Sequence, residues 1–173
     1  MKRFLFIILV MVISGCASYD YPRQVKIGDR MISATGESLN GTSVSIPKDF
    51  KGNKTLLLFG FIHKSQFDID RWLIGLDMTG TQVDVYEIPT LKGMIPEIFS
   101  HFIDDSMREG IPKEIWKGVV TVYGDGDDIQ RFTGNQQPKN SRVMLLDENG
   151  TIVYFYDRGF SVNALNAVRG KLN

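Results

Sequence analysis

The chain has 173 residues, with 20 Lys and Arg balanced by 20 Asp and Glu, and a single cysteine, Cys16. That length suits one domain with a sizeable core. The balanced charge shows no basic stripe and so gives no basis for a nucleic-acid partner, while one cysteine excludes an internal disulfide.

The first residues are Lys2 and Arg3, then an unbroken apolar run from Phe4 to Ile13, then Ser14, Gly15 and Cys16. The run is too short to span a bilayer and has the layout of a secretory leader. Its ending, Ile13-Ser14-Gly15-Cys16, resembles a bacterial lipobox. The resemblance implies that residues 1–15 are a signal peptide removed in the mature protein and that Cys16 is acylated. Acyl chains hold a protein to membrane lipid at about 0.8 kcal/mol per buried CH₂. Ala17, rather than Asp, follows the cysteine, which by the same resemblance favours the outer membrane of a bacterial cell envelope, on its periplasmic face. Residues 16–26 are expected as a lipidated N-terminus and tether, and 27–173 as the folded domain. With Cys16 lipidated that domain has no thiol, so thiol redox chemistry is not expected of it.

Thr55 to Ile62 is a continuous apolar run, the pattern of a strand buried on both faces of a sheet. Ile69, Trp72, Leu73 and Leu76 follow at the spacing of a helix packed on that sheet. Val83 to Ile88 reads as a second strand, stopped by Pro89. Pro96 suits the first turn of a further helix whose apolar face is expected to be Ile95, Ile98, Phe99, Phe102 and Ile103, ended by Gly110 and Pro112. Val119 to Tyr123 is a third strand, followed by a short helical stretch from Asp127 to Phe132. Arg142–Asp147 and Thr151–Asp157 flank Glu148-Asn149-Gly150, a strong hairpin signal. A last helix runs from about Val162 to Leu172, with Ser161 as N-cap.

This order predicts an α/β domain with a mixed central sheet flanked by helices. With the leading segment "SLNGTSVSIPKDFKGNKTLLLF", it resembles the thioredoxin-like fold in its peroxiredoxin-type elaboration, with an N-terminal hairpin and a helical insertion between the second and third central strands. In redox-active members of that fold the reactive cysteine lies at the tip after the first central strand. Here the tip reads His63-Lys64-Ser65-Gln66-Phe67-Asp68, and the Cys-x-x-Cys spacing falls on Ser65 and Asp68. Ser-x-x-Asp before a helical stripe predicts a capping box. A Ser65 nucleophile with His63 as base lacks an orienting group and an oxyanion hole. A metal site is not expected, since the chain has two histidines, His63 and His101, and no free thiol, and no cofactor is implied. "YGDGDD" at 123–128 has the look of a calcium loop, but the twelfth position from Asp125 is Gln136, not Glu.

Arg142 precedes the hairpin strand where peroxiredoxins, by resemblance, carry an arginine aimed at the tip. Its expected partner is a carboxylate such as Asp68, in a structural ion pair, or an outside anion. "FGF" (59–61), "DRW" (70–72), "MREGIP" (107–112), "VTVYGD" (120–125) and "NSRVMLLDENGTIVY" (140–154) together resemble the thioredoxin-like domain of the mitochondrial ATP-synthase assembly factor and its bacterial relatives. That resemblance implies binding or assembly of a membrane-protein complex, without catalytic residues. His63, Lys64, Ser65, Gln66, Pro89 and Arg142 are therefore expected to form a surface at one end of the sheet, the end where ligands bind in open α/β sheets. Its expected partner is another envelope protein. The alternative is an anion or small-ligand pocket, or a non-thiol enzyme, using Arg142, His63 and Lys64.

Overall fold

The computed structural model describes residues 20–93 and 97–172. The leader, Cys16 and the first part of the expected tether lie outside the described residues. Among the described residues no helix is long and apolar enough to cross a membrane.

Strand β1 (Ala34–Ser38) and strand β2 (Ser43–Ile46) form the leading hairpin. β3 (Thr55–Gly60) is the first central strand, followed by α1 (Gln66–Met78) and β4 (Asp84–Pro89). α2 (Glu97–Gly110) and a 3-10 segment (Lys113–Gly118) form the insertion, which leads into the short strand β5 (Val120–Thr121) and α3 (Gly126–Thr133). β6 (Arg142–Leu146), β7 (Ile152–Tyr156) and α4 (Val162–Leu172) complete the domain.

β3 pairs parallel with β4 and antiparallel with β6, giving a four-stranded sheet in the order β4-β3-β6-β7. A second sheet, β2-β1-β5, is joined to the first by parallel bridges from Glu87 to Val119 and from Thr90 to Val122. The uninterrupted apolar run of β3 has its cause here. Leu57 and Phe59 face one core with Met144, Leu146, Val122 and Ile129. Leu56 and Leu58 face the other, with Ile69, Trp72 and Leu76 of α1 and Leu165 and Val168 of α4. Each face is covered by a helix or the second sheet, so neither alternate can be polar. Trp72 is fully buried and donates its indole N–H to the Gly159 carbonyl at 2.9 Å.

Two expectations change. Residues 21–25, expected as tether, run against the domain: Tyr21 N–H donates to Asn135 Oδ1, Gln24 N–H to the Phe132 carbonyl, and Val25 packs on the first core. The apolar face expected for α2 is not turned wholly into the core either. Phe99 and Phe102 are exposed, while Asp104 is 4 % exposed. The reason is a polar latch: Tyr123 donates its hydroxyl to Asp104 Oδ1 at 2.7 Å, and Arg108 Nε donates to the Leu39 carbonyl at 2.8 Å. A buried carboxylate needs such a donor, and meeting that need sets the helix's rotation. Ile95 and Ile98 of the expected face lie outside the residues whose side chains are described.

Candidate functional site

β3 ends at Gly60, in register with Pro89 at the end of β4. The chain then turns through Phe61 and Ile62 into a 3-10 turn, His63–Ser65, before α1. A side chain at residue 60 would put its Cβ 2.9 Å from Ser65 Oγ and 3.1 Å from Ile69 Cδ1. Glycine therefore lets the turn fold back onto the strand end.

Ser65 is 1 % exposed and donates its hydroxyl to the Ile62 carbonyl at 2.6 Å. It is helical in conformation and makes no side-chain cap to α1. The expected capping box is thus replaced by a different arrangement. Asp68 turns away from the α1 terminus, accepts from the Ser141 N–H at 3.4 Å and lies 3.5 Å from Arg71. The tip carries no thiol, and its one hydroxyl is buried with its proton directed at a carbonyl.

Beside the tip opens a cavity of about 790 Å³. Its floor is the end of β3 and β4, one wall is the turn and α1, and the other is α2 with the 3-10 segment after it. The lining is mainly apolar: Phe61, Ile62, Ile69, Leu73, Leu91, Phe102, Ile103, Met107, Ile111 and Ile115 among others. Ile62, Phe102 and Ile115 are 42 %, 70 % and 53 % exposed, so the mouth is apolar as well. Of the candidate residues, His63, Ser65, Gln66 and Pro89 line this cavity and the exposed Lys64 does not.

Two carboxylates outside the expected surface also line it. Glu87 shares register with Leu58 and is half-buried. Asp70, exposed in the first turns of α1, borders the cavity from that helix. Gln66 Nε2 donates to Asp70 Oδ1 at 3.0 Å and to Glu87 Oε2 at 3.4 Å, tying the two together. Burial pushes the Glu87 carboxyl above its usual range; the Asp70 charge pushes the same way, and the Gln66 hydrogen bond opposes it. The available signal for Glu87 was a charged residue between Tyr86 and Ile88, near the carboxyl end of the strand-like stretch "VDVYEIP".

Arg142 does not join this site. It pairs in register with Phe59, and its guanidinium lies 4.5 Å from the centre of the Phe61 ring, apart from the large cavity. It is 2 % exposed and donates to three backbone carbonyls: from Nε to Gly134 at 2.9 Å, and from Nη1 to Gln137 at 2.7 Å and to Asn140. Burial pulls its pKa down to about 10, partly offset by the Asp157 charge. The expected ion pair with Asp68 is absent among the described contacts; Asp68 instead lies by Arg71 and the Ser141 N–H, while Arg142 gives three of its five N–H groups to backbone oxygens. The proposed anion pocket of Arg142, His63 and Lys64 is not assembled: Arg142 borders a separate polar recess of about 270 Å³ with Tyr21, Arg23, Asn140 and Asp157.

Comparison with known proteins bears on the fold. No family model and no curated protein matches the sequence. Solved structures do match. A thiol peroxidase from Chromobacterium violaceum superposes with a TM-score of 0.58 at 11 % identity, covering 88 % of this chain and 90 % of that one. The pneumococcal exposed lipoprotein thioredoxin from Streptococcus pneumoniae gives 0.53 at 14 % identity, covering 82 % and 100 %. BsSco, described as a member of the Sco family of cytochrome c oxidase assembly proteins, gives 0.56 at 14 % identity, covering 87 % and 96 %. The domain has the thioredoxin-like fold, shared with thiol oxidoreductases and Sco proteins alike.

Proposed function

We propose that this chain is a lipid-anchored protein of the bacterial envelope whose thioredoxin-like domain binds another envelope protein, in an assembly role, without thiol chemistry. The observation that carries the reading is the apolar cavity at the carboxyl ends of β3 and β4, with Ile62, Phe102 and Ile115 exposed at its mouth. Exposed apolar groups around a concave site mark a surface that gains from being covered. The same end of the fold holds a buried hydroxyl engaged with a carbonyl and no thiol, so the site offers contact area rather than a nucleophile.

The lipobox-like leader supports the anchor, and the sequence resemblance to the ATP-synthase assembly factor supports the assembly role. The fold itself accommodates such a role, since BsSco belongs to a family of assembly proteins. Neither names a partner for this chain.

A photo-crosslinking residue replacing Lys64, exposed beside the cavity mouth, tests the reading in the native membrane, with Lys171 on α4 as control. A discrete protein adduct from position 64 alone is the expected result. No adduct from either position, in protein shown to be folded and acylated, would sink it.

A further inference from the structure

The described lining of the large cavity contains Asp70 and Glu87 but neither lysine nor arginine. Charge therefore biases the site against anions. Glu87 is the more telling of the two, because its environment is incomplete. It lies among apolar neighbours, beside a second carboxylate, and receives a single long hydrogen bond from Gln66 at 3.4 Å. No salt bridge reaches it among the described residues. A carboxylate in such surroundings lacks the countercharge that stabilises a desolvated anion.

An incoming cation would supply that countercharge. The cavity around it, about 790 Å³ and mostly apolar, is far larger than a bare metal ion or ammonium needs. A matching occupant combines an apolar body with one positive nitrogen. The body covers Ile62, Phe102, Met107 and Ile115, and the nitrogen reaches Glu87 and Asp70.

We infer that the cavity receives an apolar segment of a partner protein carrying one Lys or Arg, whose cationic group pairs with Glu87 and Asp70. This rests on the partner-binding reading above and specifies what that partner presents. An apolar segment alone would leave Glu87 sealed from water without a countercharge, so the basic residue confers selectivity as well as affinity. A segment with an acidic residue at that position is rejected for the same reason.

The site's chemistry is read with n-octylammonium as probe, against n-octanol and n-octanoate, by calorimetric titration of the folded domain. The ammonium is expected to bind about tenfold more tightly than the alcohol, which is the effect of one charge-assisted hydrogen bond, and the carboxylate more weakly than either. Glu87→Gln should bring the ammonium down to the alcohol while leaving the alcohol's affinity unchanged. In the unsubstituted protein, ammonium affinity should rise with pH as Glu87 ionises, with Asp70 and His63 the other titratable groups lining the cavity, while alcohol affinity stays flat. Equal binding of alcohol and ammonium, no binding of either, or a preference that survives Glu87→Gln overturns the proposal. A second arm places the crosslinking residue at Ile115 in the native membrane. A captured segment with Lys or Arg supports the proposal, and one without either overturns it. If adducts form at position 64 but the ammonium preference is missing, partner binding stands and the cation pairing falls. If the preference holds but no protein is captured at either position, partner binding is what fails and the protein segment is overturned with it.

Discussion

Two charged residues lie close to the ends of the central strands and have opposite fates. Arg142 is nearly inaccessible, and its own chain answers it: three carbonyls in the loop from Gly134 to Asn140 accept its protons, and Phe61 lies against its face. Glu87 is half-buried and barely answered, with one long hydrogen bond and another carboxylate close by. The first is a tie that orders a loop. The second is a charge left for something outside the chain. A buried charge is thus informative about function only after its partners have been counted.

The largest expected effect comes from breaking the tie. Arg142→Met keeps much of the volume but removes three hydrogen bonds, the one to the Gly134 carbonyl fully buried and the other two part-buried, at a cost of about 3–4 kcal/mol. Thermal unfolding should shift down by roughly 6–15 °C for a domain of this size, and a shift under about 2 °C would show that the tie is dispensable. Removing the latch that holds the cavity's outer wall should cost less. Tyr123→Phe deprives Asp104 of its 2.7 Å hydrogen bond. A loss of about 1–3 kcal/mol is expected, with faster amide exchange along 97–110 and little change in β3.

The smallest effect falls on Glu87, and its sign is opposite. Its pKa is raised in the folded protein above the ordinary 4.5, so the folded state holds its proton longer than the unfolded state. Stability contributed by that proton is present below pH 4.5 and declines as pH rises through the raised folded value. Glu87→Gln removes the decline: the variant should equal or slightly exceed the unsubstituted protein at pH 7, and lose that advantage near pH 4. Denaturant midpoints at the two pH values measure it. A variant destabilised at both would make Glu87 structural, like Arg142, and erase the contrast.

Much of the framework is legible along the chain because it depends on neighbours. Eight consecutive residues of "TLLLFGFI" could only be a strand covered on both faces, apart from their last two, which the turn claims. Asn149-Gly150 places the β6–β7 hairpin, with Gly150 at φ 82°. Ser161 caps α4 through the Ala164 N–H at 3.1 Å. The same local reasoning fails at Ser65 and Asp68. Their spacing fits a capping box, but Ser141, 73 residues beyond Asp68, offers that carboxylate a different donor. It fails again along α2, where "IFSHFI" suggests an inward apolar face and a single buried aspartate overrules it.

The sequence by itself determined which segments are strands and helices, that the domain has the α/β order of a thioredoxin-like fold, and that no thiol stands at its tip. Those follow from period, turn chemistry and residue identity, all of which are properties of short stretches. Only the tertiary structure decided which polar groups meet. Gln66 reaches Glu87 across 21 residues and Arg142 faces Phe61 across 81, and both pairings depend on strand register and on the face to which each side chain points. A one-residue change of register would exchange the two faces, so the site exists only once β3, β4 and β6 have paired.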